Sequence, residues 1–128
     1  MMSPRDRCAS LARLAALKSD RDLNALARGR QARAMVVDAL DKLDRVATLA
    51  RPIAPVNTDA GSLRAQEKFV RLVQRERSAL NTELARRNAA WRECLDDAVR
   101  SFGRARALEK MAARARLDRL SKIHRTSE

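Results

Sequence analysis

Tyrosine is missing from this chain of 128 residues, Phe occurs twice, and Trp and His occur once each. Gly and Pro are equally scarce at 3 apiece. A β-sandwich or barrel needs many turn residues and strands rich in aromatic and β-branched side chains, so this composition excludes one. Two cysteines, Cys8 and Cys94, and the single His124 give no metal-binding spacing. Glycine-rich phosphate loops, HExxH, GxSxG and CxxC patterns are absent. No long uninterrupted apolar run exists either: Arg13 and Lys18 break the first Leu-Ala segment, which excludes a transmembrane helix and predicts no signal peptide. The expectation is therefore a cytoplasmic protein with reduced thiols, no cofactor, no small-molecule substrate and no catalysis of its own.

What is present is helix-forming. The chain holds 24 Ala against 32 large apolar residues, and charged residues make up 34%. Ala favours helix but adds little core volume, so long helices meeting along a thin seam are expected rather than a thick core. Arg outnumbers Lys 23 to 5 within a formal net charge of +12. Guanidinium forks suit phosphate and carboxylate partners, although GC-rich coding would also raise Arg and Ala together.

Ser3-Pro4-Arg5-Asp6 reads as a helix start, with Ser3 capping, Pro4 at the first helical position and Asp6 closing a capping box. No further Pro occurs before Pro52. The first helix is expected over about 4–50, with Gly29 its weak point at about 1 kcal/mol relative to Ala. The stretch 51–61, with Pro52, Pro55 and Gly61, is the expected loop, and Thr58, Asp59 or Ser62 can cap the next helix. That helix is expected over about 62–124, interrupted only by Gly103.

Apolar residues recur at steps of 3 and 4. The first helix shows Val36, Leu40, Leu43, Ala47 and Ala50. The second shows Val70, Val73, Arg77, Leu80, Leu84, Arg87, Trp91, Leu95, Ala98, Phe102 and Ala105. This is a coiled-coil seam holding two arginines that either snorkel or meet a partner. A short loop makes the helices antiparallel neighbours. The fold class is thus all-α, an antiparallel two-helix coiled-coil hairpin forming a single domain. If Ala50 faces Ser62, facing residue numbers add to about 112, so Cys8 would face Arg104 and Cys94 would face Lys18. The C-terminal helix end past about Leu108 would then project, partly unpaired. From Ala98 to Arg125 there are 9 Lys or Arg against Glu109 and Asp118, so the projecting end is basic and amphipathic. Asp38, Asp41 and Asp44 form the densest acidic set, which Lys42 and Arg45 make a solvated face rather than a cation site.

Phe69-x-x-x-Val73, Trp91-Arg92 and the segment Arg104 to Arg116 around Ala107-Leu108-Glu109-Lys110-Met111 give this layout a resemblance to the FliJ family, small coiled-coil stalk proteins of flagellar and related type III export machines. The resemblance implies a stalk whose paired chain ends enter the hole of a hexameric export ATPase. Here that end would be Leu11, Leu14, Leu108, Met111, Arg114 and Arg116. It also implies a loop-side half, here Leu40, Leu43, Phe69, Val73 and Leu80, reaching the cytoplasmic domain of the export gate at the inner membrane, and contacts with export chaperones. The same seam residues serve equally as the core between the two helices. The family often carries aromatic residues on the first helix near the loop, and this chain has aliphatic ones there. Two other readings remain: a basic helical hairpin on nucleic acid or an anionic membrane surface, and a homo-oligomeric coiled coil.

Overall fold

A computed structural model describes residues 3–50 and 59–127. Two long helices, α1 (Pro4–Leu49) and α2 (Ala60–Ser127), pack against each other as a helical hairpin. The α1 start is built as its sequence dictates. The Asp6 backbone N–H donates to Ser3 Oγ at 3.2 Å, the Ser3 N–H reaches Asp6 Oδ2 at 3.4 Å, and the Ser3 hydroxyl donates to the same carboxylate at 2.8 Å. This reciprocal box satisfies donors that a helix start otherwise leaves unpaired. Of the three candidates for the α2 cap, Asp59 takes the role: its Oδ1 accepts from the Ser62 backbone N–H at 2.7 Å. The helix consequently begins two residues before the expected position, and Gly61 lies inside it. The expected loop through Pro52 and Pro55 falls mostly outside the described residues.

The chain forms two compact units. One is Gly29–Trp91, and the other joins Met1–Arg28 to Arg92–Glu128. In the Gly29–Trp91 unit, a Cβ built at Gly29 would stand 3.7 Å from Trp91 Cα. Arg33 Nε donates to Asn88 Oδ1, and Arg77 pairs with Asp44. Gly29 against Trp91 makes facing numbers add to 120, not 112. Val73, Leu80 and Leu84 are shielded from solvent at the same levels as Ala47, Leu40 and Val36. With this register Ala60–Val70 of α2 extends past the level of Leu49, and residues 60–68 are all exposed.

The other unit follows the same register. Cys8, Ala12, Ala15, Ser19 and Asp22 are the shielded line on α1; Ala98, Ser101, Ala105, Leu108 and Ala112 are the shielded line on α2. Ser3 to Asp6 border one cleft with Ala115, Asp118, Arg119 and Lys122. The expected projecting end of α2 therefore begins further along than about Leu108. Leu108 is a seam residue level with Ala12, shielding continues to Ala115, and only Arg116–Ser127 is exposed throughout. Cys8 stands level with Ala112, and Cys94 with Leu26; both are free.

The seam itself also differs from the expected one. Leu95, Phe102 and Val70 are exposed, and Cys94, Ser101 and Asn88 occupy shielded positions instead. The most deeply buried residues among those described are Ser101, Ala98, Ser19 and Val73. Small side chains let two helix backbones approach closely, which large Leu and Phe at the same positions would prevent. On α1, Leu11, Leu14, Leu17 and Leu23 all lie exposed, because the line of Cys8, Ala12, Ala15 and Ser19 fills the contact.

Candidate partner-binding surfaces

The described residues form open grooves along the two helices. Among the described residues no group of His, Cys, Asp and Glu has the makings of a metal site, and no helix is long and apolar enough to cross a membrane. A bare two-helix hairpin gives little reason to expect a concave site, yet the Gly29–Trp91 unit has an open groove of about 710 Å³. Ala47, Thr48 and Ala50 of α1 form one wall, and Phe69, Val70 and Val73 form the other. The groove lies where α2 runs on past the level of Leu49, the last residue of α1. Asp44 and Arg77 close its far end.

The five loop-side residues divide on position. Val73 is buried, at 8% exposure, while Leu40, Leu43 and Leu80 are half-buried in the seam. Their first task is to hold the helices together. Phe69 is half-buried and lines the groove wall beside Val73. Leu49, at 86% exposure, with Val46, Leu63, Val70 and Leu72, supplies accessible apolar surface toward the α1 end and the α2 start. Sequence reasoning missed these residues because it assigned Val70 to the seam and gave the loop too little offset.

In the other unit, Leu11, Leu14 and Met111 are 51%, 62% and 54% exposed. The seam passes through Cys8, Ala12 and Ala15 on α1 and Leu108, Ala112 and Ala115 on α2, and the heptad spacing sets Leu11, Leu14, Met111 and Arg114 on one flank of the pair. Arg116 lies on the opposite flank, and Leu108 faces inward. Four of the six residues expected at this end thus share an exposed surface.

The two arginines expected in the seam both lie exposed, and Asn88 takes the shielded position next to Arg87. Arg77 reaches Asp44, and Arg87 donates from Nε to Glu83 Oε1 at 2.8 Å on its own helix. Both side chains are nearly half exposed, so each pair adds at most about 1 kcal/mol. Arg33 stacks over Trp91, 5.8 Å from the ring centroid. That cation–π contact lies over the seam beside Gly29, where a Cβ would meet the Trp91 side chain at ordinary van der Waals distance, 3.8 Å or more. The set Asp38, Asp41 and Asp44 is split between ion pairs, Asp38 with Lys42 at 3.2 Å and Asp44 with Arg77.

No family model matches the chain, and neither the curated proteins nor the solved structures show a similar protein.

Proposed function

We propose that the protein is a helical-hairpin stalk adaptor of a flagellar or type III protein export apparatus, as its resemblance to the FliJ family implies. In this reading it binds the export ATPase hexamer and links it to the export gate and to export chaperones, with no chemistry of its own. The observation that carries the reading is the pairing of the α1 start with the α2 end, which leaves Leu11, Leu14 and Met111 exposed beside Arg114. A surface both apolar and basic suits an acidic or polar ring lining, where charge sets approach and apolar anchors supply affinity. At the loop side, the groove beside Phe69 and the exposed Leu49 and Val70 are the surface offered to the gate.

The test uses point substitutions, because removing α2 after Ala107 would also strip α1 of its partners Leu108, Ala112 and Ala115. Leu14→Glu, Met111→Glu and Arg114→Glu combined leave the seam intact. Co-purification with the cognate export ATPase, and the promotion of its hexamer, should both be lost while the far-ultraviolet helix signal stays unchanged. Undiminished ATPase binding by this triple variant would remove the assignment of that end.

A further inference from the structure

A second stripe runs along α2 in the unit containing Arg92–Glu128. Each seam position from Ala98 onward is followed by a residue turned about 100° away from the contact. Val99, Phe102, Arg106, Arg116, Leu120 and Ile123 stand on this line, with Leu117 and Lys110 along its edge. All eight are exposed. Arg106 folds over the Phe102 ring, 5.9 Å from its centroid, so its aliphatic stem extends the apolar strip and its head marks the rim. Glu109 is the one acid on the line. Over Ala98 to Arg125 the excess of cations is 9 against 2.

We propose that this flank of α2, from Val99 to Ile123, binds the surface of an anionic phospholipid bilayer. Phe102, Leu117, Leu120 and Ile123 enter the headgroup–acyl boundary, and Arg106, Lys110 and Arg116 engage lipid phosphates. The alternation of apolar and cationic residues along the stripe decides the ligand. A bilayer boundary offers acyl chains and phosphates at every point, so the alternation needs no matching register. A nucleic-acid backbone would leave the exposed apolar side chains without use. A second copy would set one basic stripe against another. Among the described residues no helix is long and apolar enough to cross the bilayer, so the proposed contact is with its surface.

The experiment floats the full-length chain with phosphatidylcholine vesicles, pure or containing a third of phosphatidylglycerol. Duplex DNA serves as a parallel ligand. Binding is expected only to the anionic vesicles. Arg106→Gln with Arg116→Gln should weaken it at least tenfold, since each cation near such a surface contributes roughly fivefold. Phe102→Ser, Leu120→Ser and Ile123→Ser combined should also weaken it at least tenfold, with helix content unchanged. The pair Leu120→Ala and Ile123→Ala, beyond the last shielded residue of α2, repeats the test without touching the hairpin. Absence of binding to anionic vesicles overturns the proposal. So does vesicle binding that survives both apolar variants and is matched on DNA, because that pattern is adsorption by charge alone.

Discussion

Asp22 is the residue that fits its place least well. It sits in the seam level with Ala98, and its Oδ2 is shielded from solvent without a hydrogen-bond partner. Lys18 Nζ lies 3.8 Å from that oxygen, close enough to offset its charge but beyond hydrogen-bond length. An unsatisfied carboxylate oxygen is costly, and Asp is also a weaker helix former than Ala. Asp22→Ala should therefore stabilise the hairpin by about 0.5–1.5 kcal/mol, read as a higher urea midpoint; a lower midpoint would mean that Asp22 gains more from Lys18 than it loses by burial. Asp59 shows the opposite case, a carboxylate held by its surroundings. The Ser62 backbone N–H, then the Ser62 side chain, hold its pKa below the ordinary value. A depressed folded pKa means the cap contributes fully above the unfolded value and is lost as pH falls through the folded one. The Asp59 carboxyl should titrate by NMR below an aspartate in an unstructured peptide. Asp59→Asn should keep the start of α2 protected from amide exchange in acid, and Asp59→Ala should leave it frayed at every pH. An ordinary titration midpoint would show that the cap is not held.

At the scale of elements, the helix starts were legible and the register was not. Capping is a local matter, and the four residues Ser3 to Asp6 contain all of it. Pairing is set by what fits between two helices over many turns. The sequence presents two rival stripes on α2: one through the large residues Leu95 and Phe102, the other one step back through Cys94 and Ser101. Hydrophobicity favours the first, but close backbone approach against Cys8, Ala12, Ala15 and Ser19 favours the second. The signal that would have found it is the small-residue line on α1 in the same 3–4 spacing. A loop-centred register also assumed that α2 pairs from its first turn. Site residues followed the same division: Leu11, Leu14 and Met111 lie exposed, whereas Leu108 and Val73 are shielded along the seam. Engineered cysteines can check the register directly. In a chain with Cys8 and Cys94 replaced by Ser, Ala15→Cys with Ala105→Cys stands at one level and should oxidise readily to an intramolecular disulfide, which requires Cα atoms within about 7 Å. Ala15→Cys with Asp97→Cys, facing under the rejected register, should not. Efficient closure of the second pair alone would restore the register based on the loop.

For the whole molecule, surface area is the quantity that governs behaviour. The chain exposes 10,723 Å². A compact monomer of its 14.4 kDa mass would expose about 6,800 Å², and its unfolded chain roughly 20,900 Å². Folding the hairpin thus hides about 10,200 Å², where a compact domain would hide about 14,100 Å². The slope of unfolding free energy against urea scales with the area exposed on unfolding. The isolated protein should therefore give an m-value about 30% below that of a compact domain of equal length. Two sources can supply the missing burial, a second copy or a different partner, and concentration separates them. If copies associate, both the m-value and the midpoint rise with protein concentration. The basic end, whose stripes would repel one another, argues for the other outcome: an m-value that stays low at every concentration, and a midpoint that moves only when an acidic partner or an anionic surface is added.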